Sequence, residues 1–239
     1  MVDTDASVDN VQVTTADAVT KGRVMIHRLK DMRRRTFVAV AAGAALLLFA
    51  AVALAGSSFK NGNFETGDFS KWSTSQTGAG NWFVSNKRVT PLGFNGWAGP
   101  AEKEYAAITD QLAPSANVLY RTIHIGSKTT RLSMIVYYKN RAGIFCNPST
   151  NTLDETYPGC FQMYTVDILR NGSDPFSIDP ADVLKTIFRT SASSPNSMDF
   201  TKFTVSLAGL SGDVILRFGE VDNVGPLNAS VDNVTVNNG

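Results

Sequence analysis

Residues 56–239 contain no run of helical periodicity, and this limits the fold more than any other feature of the chain. Apolar residues instead recur at every second position in short segments separated by Gly, Pro, Asn and Asp. That pattern marks strands joined by turns. The candidate strands are Trp82–Ser85, Tyr105–Thr109, Val118–Ile125, Arg131–Tyr138, Gln162–Leu169, Val183–Arg189, Lys202–Leu207, Val214–Val221 and Ser230–Val236. Val214, Leu216 and Phe218 share one face, with Ile215, Arg217 and Gly219 on the other. Leu132, Met134, Val136 and Tyr138 alternate with Ser133, Ile135 and Tyr137, so the adjacent tyrosines point to opposite faces. A strand apolar on both faces belongs at the centre of a two-layer structure. About nine strands over ~180 residues, with no βαβ alternation, predict an all-β antiparallel sandwich or barrel.

Ahead of this region the chain is organised differently. Lys21 to Arg35 holds seven Lys or Arg against one acid, Asp31. Phe37 to Ala55 then reads FVAVAAGAALLLFAAVALA, without a charge, and closes on Ala53-Leu54-Ala55. A basic stretch, an apolar stretch and a small-x-small site describe a secretory signal. Left uncut, the apolar run is long enough to span a bilayer as a signal anchor, with the basic flank inside. Either way residues after 56 are exported, to the medium or the cell surface. The three parts are therefore 1–36, an acidic, disorder-prone stretch followed by the basic flank; 37–55, the hydrophobic signal; and 56–239, the folded domain. A start at Met32 would give a bacterial signal of ordinary length, and Arg34-Arg35 resembles a twin-arginine signal. After Thr36 the chain carries 15 basic and 16 acidic residues. This near-neutral balance leaves no basic face for nucleic acid. Contact with a membrane is expected only through the uncleaved signal.

Cys146 and Cys160 are the only cysteines. In an oxidising compartment they pair most simply with each other, pinning the long irregular stretch Asn140 to Cys160. A loop of that length is usually functional or mobile. Zinc is not expected, because His124 is the only histidine of the exported part and no CxxC occurs.

The stretch NGNFETGDFSKW, Asn61 to Trp72, interleaves turn formers and polar groups with Phe64, Phe69 and Trp72. The chain closes with LRFGEVDNVGPLNASVDNVTV, Leu216 to Val236. Together these resemble the first segment and last strands of galactose-binding-like jelly rolls, and are especially similar to carbohydrate-binding modules of bacterial cellulases and xylanases. YAAITDQ, from Tyr105, and NVLYRTIHI, from Asn117, resemble the middle strands of similar domains. The resemblance implies a two-sheet antiparallel jelly-roll β-sandwich. It also implies a structural calcium tying the first segment to the last strand, and a sugar site on a sheet face or in the edge loops.

Calcium takes hard oxygen ligands. The resemblance makes Glu65 and Asp232 its best ligands, with Asn61, Asn63 and Asp68 nearby as turn residues that also carry side-chain oxygens. In NGNFETGDFSKW, Phe64, Phe69 and Trp72 are expected to seat an opening strand and turn in the core. Sugars stack their C–H faces on aromatic rings and use polar groups to read hydroxyls. Trp97, Trp82 and Tyr137 are therefore candidate platforms, and Trp97 lies in a glycine-rich loop, GFNGWAGP, not expected to bury it fully. Asp110, Asn140, Arg141 and Glu220 flank the strands and are candidates to hydrogen-bond a polysaccharide or cell-surface glycan. Each of these residues has a structural reading too: the aromatics as core, the polar groups as caps of the sheet. Glu102, Glu104, Asp110 and Glu220 offer carboxylates, but no spacing that pairs them for glycoside hydrolysis. No G-x-S-x-G elbow is present. The expectation is a non-catalytic carbohydrate-binding domain. Its alternatives are an adhesion or structural protein of the same fold without a sugar site, and a small polysaccharide-degrading enzyme.

Overall fold

The structure is a computed structural model that describes residues 59–93 and 97–238. The signal segment 37–55, the basic flank, Met32 and the Phe94 part of the glycine-rich loop lie outside the described residues. Among the described residues eight strands form: β1 Ser73–Ser85, β2 Ala106–Ile125, β3 Thr129–Asn140, β4 Gln162–Arg170, β5 Val183–Arg189, β6 Ser197–Ser206, β7 Gly212–Asp222 and β8 Leu227–Asn238. Every pairing is antiparallel. The ladder runs β5-β4-β7-β2-β8-β3-β6, with β1 also on β2. Two predicted strands, Tyr105–Thr109 and Val118–Ile125, are thus one strand of 20 residues.

The length of β2 makes the fold. Its first half pairs with β8 at Ala107 and Ile108, and its second half with β7 from Ser115 to Ile125. Between them, around Leu112 to Pro114, the strand bends. One half therefore belongs to a first sheet with β7, β4 and β5, and the other to a second sheet with β8, β3 and β6. β1 follows the bend with a register shift between Gly78 and Gly80. The sequence allows this at Gly80, where a Cβ would lie 2.3 Å from Ser115 Oγ. The polar stretch STSQTGAG hides the first half of β1 from periodicity, because it pairs at an edge and faces solvent.

The inner faces of the two sheets meet in one core. Leu132, Met134, Val136 and Tyr138 of β3 and Ala229 and Val231 of β8 pack with Tyr164, Val166 and Ile168 of β4 and Val214, Leu216 and Phe218 of β7. The Tyr164 hydroxyl crosses the layer to donate to the Ser230 carbonyl at 3.3 Å. This is an antiparallel jelly-roll β-sandwich. The opening stretch seats Phe64 and Trp72 in the core with ring centroids 5.4 Å apart. It does so through turns, without the expected strand. Asn61 and Phe64 adopt positive φ of 53° and 56°.

Both outer faces are also covered. On the first sheet, Ala116, Val118, Met163 and Val221 pack under Leu153 and Phe161 of the stretch 141–161 and under Ile178 of the β4–β5 connection. Arg217 is buried on this face, where it pairs with Asp167 and donates from Nη1 to the carbonyls of Pro175 and Ser177. The Cys146–Cys160 disulfide closes the covering stretch. A loop of this length gains about 3 kcal/mol from the bond by chain-entropy arguments. On the second sheet, Trp97 packs with Ala106, Ile108 and Tyr137, and Phe200 lies against them. Among the described residues no helix is long and apolar enough to cross a membrane.

Candidate functional site

Three places gather chemistry. A groove of about 470 Å³ lies beside the β2–β3 turn, lined by Phe59, Arg121, His124, Lys128, Thr129 and Val236 among others. Arg121 lies on the same face of β2 as Leu119, Ile123 and Ile125, so its side chain runs along the edge of the core. Its guanidinium stacks on the Phe59 ring, 3.9 Å from the centroid, and stands 5.4 Å from that of Trp72. Nη1 donates to the Lys60 carbonyl at 2.9 Å. Burial lowers the Arg121 pKa, and among the described residues no carboxylate pairs with it. At the rim, His124 Nδ1 meets Asp213 Oδ1 at 2.7 Å. The groove joins an apolar wall to several hydrogen-bonding groups, as small-ligand sites do. No sequence signal marked it: Arg121 is a single polar residue among Leu119, Ile123 and Ile125 on one face of the strand.

The second place is the expected calcium site. Glu65 accepts the backbone N–H groups of Glu104 and Tyr105 at 3.2 and 3.1 Å. Asp232 accepts those of Glu102 at 3.0 Å and Asn233 at 2.6 Å. Both carboxylates thus hold the end of the β1–β2 connection, and the Asn233 amide donates to Glu102 at 2.7 Å. Burial, then the backbone bonds, then the nearby charges of Glu102 and Glu65 set the Asp232 pKa, which is pushed up to about 7. Among the described residues no Lys or Arg neutralises these three carboxylates. The adjoining first segment also buries an acceptor without a partner, Asn61 Oδ1. Oxygen donors are the kind calcium takes, but among the described residues no three Asp, Glu, His or Cys side chains are grouped to hold a metal ion.

The third lies inside the sandwich, at the bend of β2. Glu220 and Asp222 point inward from β7 among Gln111, Ser115 and Asn117. Burial raises the pKa of both, with Asp222 reaching about 7, and the Asp222 charge raises Glu220 further.

The expected sugar-contacting residues do not share one open site. Trp97 is 3% exposed and Trp82 2%, which corrects the expectation of an exposed Trp97 platform. Trp97 is buried because it packs against Tyr137, Ile108 and Ala106 of the second sheet. Trp82 faces the main core. Tyr137 points outward and Tyr138 inward, as the alternation predicts, but Tyr137 is covered by Trp97 and Phe200. Asp110 holds the Leu92 N–H at 2.6 Å and the Asn228 amide. Asn140 caps its own loop, donating to the Ile144 carbonyl and accepting from Ala142 N–H. Glu220 is wholly buried, not at an accessible strand end. Arg141 alone of the polar set is exposed, and its charge reaches Tyr137. Asp110 and Asn140 are buried because they anchor loop backbone at the strand ends, whereas Glu220 points from β7 into the sandwich against Asn117.

No protein-family model matches the chain, and no curated protein matches it. Solved structures similar to it include carbohydrate-binding modules. One is a module named TmCBM61 in complex with β-1,4-galactotriose, 12% identical, covering 77% of this chain and 99% of its own, at a TM-score of 0.46. Another is the K1 cleaved adhesin domain of Lys-gingipain from Porphyromonas gingivalis W83, 14% identical over 74% of this chain and 96% of its own, at 0.43. A third is a xylan-binding domain from family 22, 9% identical over 77% and 96%, at 0.41. At these values none of them assigns a ligand or a residue role to this chain.

Proposed function

We propose that residues 56–239 form an exported, non-catalytic carbohydrate-binding domain that takes polysaccharide or cell-surface glycan in the groove beside the β2–β3 turn. The observation that supports this is the groove of about 470 Å³, in which the Arg121–Phe59 stack meets a rim of His124, Lys128 and Thr129. An apolar wall holds the C–H face of a sugar ring, and the rim groups reach its hydroxyls. Glu65 and Asp232, with Glu102 beside them, would hold a structural calcium that relieves their mutual repulsion and ties the first segment to β8. The disulfide supports export, since such bonds persist in oxidising compartments.

A second reading has its own support. Both sheet faces are covered, and Trp82, Trp97 and Tyr137 are all buried. An adhesion or structural domain without a sugar site needs nothing more. Affinity electrophoresis against neutral and acidic polysaccharides separates the two. Retardation that weakens in Lys128→Ala and Thr129→Ala, with folding intact, is the expected result. Mobility unchanged by every polysaccharide would sink the sugar reading and favour adhesion.

A further inference from the structure

Asn117 and Glu220 are cross-strand partners on β2 and β7, and Ser115 and Asp222 are the next inward pair. All four side chains are at most 2% exposed. The two Asp222 oxygens are well supplied. Oδ1 accepts the Ser115 N–H at 3.1 Å and its hydroxyl at 3.0 Å; Oδ2 accepts the Gln111 amide at 2.5 Å and the Leu227 N–H at 3.4 Å. Glu220 Oε2 accepts the Asn117 amide at 2.8 Å. Three oxygens are left over: Glu220 Oε1, Asn117 Oδ1 and Gln111 Oε1 are buried without a partner. No Lys or Arg among the described residues pairs with either carboxylate.

The leftover groups are all acceptors. A water has only two hydrogens to donate, so a single water does not serve three of them. A cation among them would take these oxygens as ligands and offset the charge of the buried carboxylates, which is otherwise costly in a low-dielectric interior. There is a way in. A cavity of about 110 Å³, lined by Gln111 and Asp222, opens between Leu112–Pro114 and Val224–Pro226. The donor set is oxygen only, which disfavours zinc. It combines two carboxylates with flexible amide oxygens in an irregular arrangement, which suits calcium better than octahedral magnesium.

We propose that Gln111, Asn117, Glu220 and Asp222 bind a calcium ion at the bend of β2, separate from the Glu65–Asp232 site. The ion ties β7 to the point where β2 passes from one sheet to the other. The full-length protein, stripped with chelator and dialysed against radioactive calcium, tests this. Glu220→Gln is expected to bind one ion fewer per chain than the wild type. Asn117→Leu, close to Asn in size, is expected to lose the same ion, with near-ultraviolet circular dichroism reporting that the core is intact. Asp232→Asn should remove the other ion, and a failure there would count only against the Glu65–Asp232 site. An ion count unchanged in a folded Glu220→Gln would overturn the proposal. So would an infrared band of a protonated carboxyl, lost in Glu220→Gln, in calcium-saturated wild type at neutral pH.

Discussion

Asn117 and Glu220 stand opposite each other on β2 and β7, and the Asn117 amide donates 2.8 Å to a carboxylate that lies wholly inside the sandwich. A carboxylate in that position is stable only when something removes its charge. With no ion bound, the solution open to the molecule is to keep the proton.

Stability of the ion-free protein is therefore expected to fall as pH rises. Burial pushes Asp222 and Asp232 up to about 7 and Glu220 well above its ordinary value. Carboxyls in the unfolded chain titrate near ~4. The folded state binds these protons more tightly, so their contribution is fully present below the unfolded pKa and is lost as pH climbs through about 7. Asp68 and Asp182 are shifted the other way by hydroxyl hydrogen bonds, but they lie at the surface where solvent screens the effect. Melting temperature measured on stripped protein should decline from pH 4 to 7, and calcium should flatten the decline. A stripped protein that gains stability over that interval would contradict this account.

Trp97→Ala is expected to damage folding first. The indole is buried against Tyr137, Ile108 and Ala106 of the second sheet. Removing a buried tryptophan costs about 3–5 kcal/mol. Urea denaturation reads the loss directly. A variant as stable as the wild type would mean that the loop is held down by Asp110, Glu65 and Asp232 alone.

Gly62→Ala tests how the first segment docks. A Cβ there would sit 1.9 Å from the Val234 carbonyl oxygen and 2.8 Å from the Phe59 ring, while Val234 N–H donates to the Gly62 carbonyl at 2.7 Å. Relief of such an overlap typically costs about 1–3 kcal/mol. Differential scanning calorimetry should show the drop, and an unchanged melting point would show that the segment is not anchored on β8.

The elements that the chain announces are those whose own neighbours define them. Val214 to Val221 and Arg131 to Tyr138 alternate because each strand separates two environments, so the facing of Tyr137 and Tyr138 follows from adjacency alone. NGNFETGDFSKW places Phe64 and Trp72 in the core as its composition suggests, although as turns. The polar first half of β1 and the fusion of two predicted strands into β2 were not legible. An edge strand has no apolar stripe, and a bend in a strand has no period.

Alternating apolar residues and turn formers were enough to determine an all-β antiparallel sandwich or barrel, and the resemblance of the two end segments chose the two-sheet sandwich. Which residues reach solvent was decided by tertiary structure alone. Trp97, Asp110 and Asn140 are buried against residues distant in sequence, Glu220 against the facing strand β2, and Arg121 meets Phe59 only in the assembled fold. Burial is a property of the assembled surface, and local pattern carries no record of which loop will lie on which face.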